Sequence, residues 1–220
     1  MKVVSLWSGG KDSCFACYKA MAAGYEIVNL LNMVSTDGLR SVSHGLDAGI
    51  LSAQAQLMGI PILQKSTSRK AYEQDFKNAV RTSKERGAEG VVCGDIYLQG
   101  HKDWIDRVCE EMAVEPIFPL WGMDVREVLI DFYAAGFEAV VVSTKAEILG
   151  QEWLGRKIDG SFVSDLDRLD APVDHCGESG EYHTVVTAGP LFEKRIKIAE
   201  GRKILEGDIW YLRITDWQIL

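Results

Sequence analysis

The first 120 or so residues alternate short apolar runs with amphipathic segments, an alternation that few folds satisfy besides a parallel sheet wrapped by helices. Val3 to Trp7 and Ile27 to Val34 read as strands covered on both faces, because mostly apolar runs without strict alternation leave no side for solvent. Ile60 to Leu63, Gly90 to Cys93 and Pro116 to Phe118 supply three more. Between them the period is helical. Leu46, Ile50, Ala53 and Leu57 form one stripe, Tyr72, Phe76, Val80 and Ser83 a second, and Trp104, Ile105, Val108 and Met112 a third. Gly24, Gly59 and Gly87 stand where helices should stop, each shortly before the next apolar run. Five strands joined by four crossovers predict an open α/β domain, a five-stranded parallel sheet with helices on both faces.

The texture changes after Trp121, which divides the chain into residues 1–121 and 122–220. Val125, Val128, Leu129 and Phe132 mark one more helix and Ala139 to Val142 a strand, followed by an irregular, glycine-punctuated stretch from Gly150 to Gly180. From Tyr182 onward the chain is rich in Val, Ile, Tyr and Trp. Turn signals at Ala188-Gly189-Pro190, Glu200-Gly201 and Glu206-Gly207-Asp208 predict antiparallel hairpins, hence a smaller α+β domain.

With 47% apolar and 25% charged residues in 220, the chain can bury a core. A net charge of −8 argues against bulk electrostatic binding of nucleic acid, which needs clustered Lys and Arg. Apolar runs fall far short of the ~20 residues of a membrane span, and the amino end has too short an apolar stretch for a signal peptide. The expectation is a soluble, cytoplasmic protein. Five scattered cysteines suit a reducing compartment. Cys14 and Cys17 form a CxxC, but helical spacing alone puts both on one face, and no second pair completes a metal set.

The strongest chemical signal is Ser8-Gly9-Gly10-Lys11-Asp12-Ser13, directly after the first strand and before the first helix. Two glycines let the backbone turn sharply and bring N–H groups to a ligand, and the helix amino terminus that follows favours a phosphate. Lys11 is expected exposed, adding a positive charge. The nucleoside-triphosphatase loop GxxxxGK[ST] is excluded, since Asp12 follows Lys11. This hexapeptide resembles the SGGxDS pyrophosphate loop of the N-type ATP pyrophosphatases. The resemblance implies a five-stranded nucleotide domain, cleavage of ATP to AMP and pyrophosphate with Mg²⁺ carried on the phosphates, and Lys11, Asp12 and Ser13 as catalytic residues. It also implies adenine held by backbone near Met33, with Gly94 and Asp95 facing the same crevice.

The second signal is Cys176-Gly177-Glu178-Ser179-Gly180-Glu181-Tyr182-His183-Thr184, followed by Gly189-Pro190-Leu191-Phe192. Two carboxylates between glycines suit an ammonium or a metal, although a solvated turn entering a hairpin has the same spacing. The GExGEY segment, Leu154-Gly155-Arg156 with Asp159, Pro119-Leu120-Trp121, and Gln54-Ala55 through Gly59-Ile60-Pro61 together resemble the diphthine–ammonia ligase family over nearly the whole chain. That resemblance implies adenylation of a carboxylate, diphthine on elongation factor 2, and its amidation by ammonium. It implies a substrate site containing Gly155, Glu178, Glu181, Tyr182 and Thr184, and leaves a homodimer open. Two departures leave the carboxylate open. Where the family carries GAxxSxYQxxR, this chain has Gly94-Asp95-Ile96-Tyr97-Leu98-Gln99-Gly100-His101, with His101 and no matching Arg; and Ser43-His44-Gly45 replaces a YHT-like segment. His44 and His101 are therefore candidates for lining the site. The rivals are tRNA thiolation or lysine attachment, which shares the loop but predicts a basic surface, and a non-catalytic ATP-binding module, which has no use for Glu178 and Glu181.

Overall fold

The computed structural model describes residues 1–170 and 173–220, and the chain divides into two compact units, Met1–Gly122 and Met123–Leu220. The first unit runs β1 (Lys2–Leu6), α1 (Lys11–Ala22), β2 (Glu26–Val34), α2 (Ala48–Met58), β3 (Ile62–Ser66), α3 (Tyr72–Glu85), β4 (Gly90–Val92), α4 (Gln99–Met112) and β5 (Glu115–Ile117). Its sheet is parallel throughout, in the order β3-β2-β1-β4-β5. The central strands are apolar because helices cover both of their faces. Val3, Val4, Leu30, Leu31, Val91 and Val92 are all buried. On one side Phe76, Ala79 and Val80 of α3 and Ile105, Val108 and Cys109 of α4 pack with Val4, Leu31 and Val91. Each such large side chain contributes about 1.5–3 kcal/mol by leaving water. Strand order reverses between β1 and β4, which makes the carboxyl ends of those two strands the switch point where open α/β sheets take their ligands.

The sequence-based strands of this sheet overlap those observed, with ends within a residue except at β3, which runs Ile62–Ser66 where Ile60 to Leu63 is expected. Cys14 and Cys17 both lie buried in α1, where burial pushes the Cys14 thiol well up and the Cys17 thiol to about 12. They are packing groups rather than ready thiolates.

The second unit contains α5 (Val125–Ala134), β6 (Glu138–Lys145), α6 (Gly160–Leu166), β7 (Tyr182–Ala188), β8 (Ile196–Glu206) and β9 (Ile209–Ile219). Its four strands are antiparallel in the order β7-β6-β9-β8. Glu206-Gly207-Asp208 does close the β8–β9 hairpin. Two expected turns differ. Glu200-Gly201 is a bulge inside β8, where the register against β9 shifts twice, and a Cβ on Gly201 would stand 2.9 Å from Leu212 Cδ1. Ala188-Gly189-Pro190 closes no hairpin, since β7 and β8 are at opposite ends of the sheet order. The stretch expected to be irregular contains a 3-10 turn, Gln151–Trp153, and α6, whose Asp159 cap accepts from the Ser161 and Phe162 amides.

Candidate functional site

The loop from Ser8 to Ser13 sits at the carboxyl end of β1, and its shape is set by its own hydroxyls. Ser8 and Ser13 share a hydrogen bond at 3.0 Å, Gly10 N donates to Ser8 Oγ at 3.3 Å, and Ser13 Oγ donates to the Gly10 carbonyl at 3.1 Å. Gly9 has a φ of +79°, which a side chain would strain, and a Cβ there would meet Gln54 Oε1 at 2.8 Å. Gly10 is the N-cap of α1 and offers no side chain to cap it. The first turn of α1 thus begins without a side-chain cap from Gly10, at the positive end of a helix dipole. An anion such as a phosphate suits such a helix end.

Lys11 corrects an expectation. It is 3% exposed, and its ammonium reaches both carboxylate oxygens of Asp12, at 3.0 and 2.8 Å. Neutralisation by its neighbour is what lets the lysine be buried beside the loop. A phosphate that arrives must draw Lys11 from Asp12 or share it.

Gly94 and Asp95 follow β4 after Cys93, at the other side of the switch point. Gly94 is a close-approach glycine, since a Cβ would stand 2.9 Å from both Asp12 C and Ser13 N. Asp95, one residue on, pairs with His101 in the first turn of α4, Oδ1 to Nδ1 at 3.2 Å. Loop, Gly94, Asp95 and His101 thus share one edge of the sheet. Met33 ends nearby on β2, but its side chain belongs to the core and its carbonyl accepts from Val42 N at 2.9 Å. His44 is half-buried in the turn before α2.

Sequence reasoning quoted Gln54 without giving it a task. It is fully buried, takes a hydrogen bond from Trp7 Nε1 at 2.9 Å and donates to the Gly9 carbonyl at 3.0 Å. The available signal was a polar residue lodged in the apolar stripe of α2. Asn32 was missed as well. Its side chain donates to the Trp7 carbonyl at 2.8 Å and so fixes where β1 gives way to the loop.

In the second unit, Glu178, Glu181, Tyr182 and Thr184 lie together at the entry to β7. Asp174 Oδ1 accepts from the Cys176 and Glu178 amides at 2.8 and 3.1 Å, and Tyr182 Oη donates to the His175 carbonyl. Gly177, with φ +69°, turns the chain where a Cβ would come within 2.7 Å of the Tyr182 carbonyl. Glu181 is not the solvated side chain that its spacing allowed. It is 8% exposed, and its Oε2 is buried with no hydrogen-bond donor. A carboxylate oxygen in that state attracts a cation or a donor. Gly155 is elsewhere in the unit. It pairs with Val141 on the side of β6 opposite Thr184 and lines a groove of about 530 Å³ with Lys157, Arg195, Lys197 and Leu212.

Among the described residues no three His, Cys, Asp or Glu side chains converge to hold a metal ion. Nor is any helix among them long and apolar enough to cross a membrane.

Family models described as "Diphthamide synthase N-terminal domain" and "Diphthamide synthase C-terminal domain" match residues 1–116 and 124–219. Among curated relatives, diphthine–ammonia ligases from Danio rerio and Homo sapiens are each 26% identical, over 98% of this chain and 95% and 91% of their own lengths. That of Schizosaccharomyces pombe is 26% identical over 97% of this chain, which spans 39% of that protein. A solved structure, a "predicted subunit of tRNA methyltransferase" from Methanocaldococcus jannaschii, is 17% identical over 86% of this chain and 98% of its own, with a TM-score of 0.44. With family models covering all but a few residues of both units, the chain belongs to the diphthamide synthase family.

Proposed function

We propose that this protein is an ATP-dependent, AMP-forming carbon–nitrogen ligase. It adenylates a carboxylate and converts it to an amide with ammonium, and its substrate is diphthine on elongation factor 2. The observation that carries the reading is a self-tied glycine loop leading into the amino terminus of α1, whose N-cap is Gly10, at the switch point of a parallel sheet. Family membership supports the amide chemistry.

In this reading residues 1–121 take ATP, with Ser8, Gly9 and Gly10 and the first amides of α1 around the phosphates. Lys11 neutralises charge developing on the departing pyrophosphate, and Asp12 and Ser13 hold the lysine and the loop in place. Met33, Gly94 and Asp95 border the nucleotide. Magnesium would enter on the nucleotide's own phosphates, where it screens their charge. Residues 122–220 take the carboxylate, with Glu178, Glu181, Tyr182 and Thr184 at the substrate and Gly155 in the flanking groove. His44 and His101 line the site.

The departures at Asp95, His101 and His44 favour one second reading, in which the same chemistry acts on a different small carboxylate. Elongation factor 2 bearing diphthine, ATP and ammonium chloride are the test mixture. Chromatography should show AMP and pyrophosphate formed in step with amide. ADP and phosphate would mean an acyl-phosphate route and would overturn the adenylation mechanism.

A further inference from the structure

Amide formation from ammonium has a proton problem that a phosphate loop does not solve. Ammonium has no lone pair, so it must lose a proton before it can attack. We propose that His101, oriented by Asp95, is the general base that takes that proton, an assignment that rests on the ligase reading above.

Position is the first argument. Asp95 follows Gly94, and Gly94 lies against the Asp12–Ser13 peptide of the phosphate loop so closely that no Cβ fits between them. The pair therefore stands one residue from the nucleotide loop, at the crevice where strand order reverses.

Chemistry is the second. An ionised carboxylate only accepts hydrogen bonds, so the His101 ring must donate to Asp95 from Nδ1, 3.2 Å away. That tautomer leaves Nε2 with its lone pair free, the form a base requires. The His101 side chain is 68% exposed, whereas that of Asp95 is 21% exposed. The proton acceptor thus faces solvent and its orienting group is held back in the protein.

Third, the pair has no evident structural task. The N-cap of α4 is Leu98, whose own side chain makes no capping bond, and Asp95 lies three residues before it. An ion pair as exposed as this one stabilises a fold little. Other charged and titratable groups around it are already committed. Lys102 is held by Asp106 at 2.5 Å and lies over the Phe118 and Trp121 rings. Burial and the nearby Asp95 carboxylate keep the Tyr72 phenol protonated.

The protons balance as follows. Ammonium carries four and the amide keeps two. The first passes to His101 Nε2, which frees the nitrogen lone pair. That pair forms the new C–N bond at the activated acyl carbon, and the bond from acyl carbon to AMP oxygen breaks with its electrons leaving on the phosphate. The second proton leaves the nitrogen to that phosphate or to water.

Hydroxylamine separates this role from a structural one, because it is largely unprotonated near neutrality and needs no base to begin its attack. The probe is elongation factor 2 bearing diphthine, with ATP and either ammonium chloride or hydroxylamine. For His101→Gln, amide formation from ammonium should fall about a hundredfold or more, while hydroxamate formation stays within about threefold of wild type. Asp95→Asn, which keeps shape and loses charge, should show the same selectivity with a loss of about tenfold. Diphthine-dependent exchange of pyrophosphate into ATP, which precedes the attack of nitrogen, should fall no further in His101→Gln than hydroxamate formation does. Equal loss with both nucleophiles, or no loss with ammonium, overturns the base. A wild type that turns over neither nucleophile and exchanges no pyrophosphate overturns the ligase reading instead, and the base with it.

Discussion

Gln54 Nε2 donates to the Gly9 carbonyl at 3.0 Å while Gln54 Oε1 accepts from Trp7 Nε1 at 2.9 Å, so one buried amide on α2 ties both the end of β1 and the Ser8–Ser13 loop. Loop geometry in this fold is thus set from the neighbouring helix as well as from the loop's own serines.

Gln54→Leu keeps the volume and removes both bonds, leaving a buried indole N–H and a buried carbonyl unpaired. The expected cost is about 1–3 kcal/mol in urea unfolding. ATP affinity, by calorimetry, should fall at least about tenfold because the loop loses its outer support. Unchanged affinity would mean that Ser8 and Ser13 hold the loop alone.

Lys11 is buried and Asp12 half-buried in an ion pair beside that loop, so removing one takes a close counter-charge from the other. Lys11→Ala should abolish turnover and also lower stability by on the order of 2 kcal/mol. That is less than the ~3–5 kcal/mol typical of fully dry pairs, because Asp12 still meets solvent. Adding Asp12→Ala should restore most of the stability and none of the activity. Turnover near wild type in Lys11→Ala at saturating ATP would remove the lysine from the mechanism.

The anchor of the Glu178 loop is sensitive to acid. Asp167 bonds His175 at 2.8 Å and Arg126 at 3.3 Å, and these contacts, His175 first, hold its carboxyl below the ordinary range. Because the folded value is the lower one, the stabilisation is complete above the unfolded value of 3.8 and is lost as pH falls through the folded value. Urea midpoints measured at about pH 5 and about pH 3 should therefore diverge more in wild type than in Asp167→Asn. An identical drop in both would place the acid sensitivity elsewhere.

The parallel sheet was legible because its central strands are mostly apolar on both faces and the helices between them keep a clean period. What escaped had a local reason each time. Helix α6 spans seven residues, with only Phe162, Val163 and Leu166 buried, too short for its period to register. Gly201 reads as a turn because glycine marks bulges and turns alike. The burial of Lys11 depends on Asp12 folding back onto it, and the task of Gln54 on contacts 45 and 47 residues away in the chain. The loop and the paired glutamates were visible as motifs, but the buried, donor-free state of Glu181 is a product of tertiary packing.

Glu178 and Glu181 separate a ligase from a module that only binds ATP. Both lie far from the Ser8–Ser13 loop in sequence, on a segment held by Asp174 and by the Tyr182 hydroxyl. Glu181 keeps one oxygen buried without a donor, a state that costs free energy and is relieved by a cation or a hydrogen-bond donor. Glu178→Gln with Glu181→Gln retains shape and removes two charges. Burial of a neutral amide at position 181 should leave the Tm equal or higher, since an ionised oxygen no longer has to be kept from water. ATP affinity by calorimetry should match wild type within about twofold, while ammonium-dependent AMP release falls about a hundredfold or more. Full amide-forming activity in the double variant would reduce the segment to a structural turn and move the substrate site elsewhere. Loss of ATP binding along with activity would instead show that the two carboxylates serve the nucleotide.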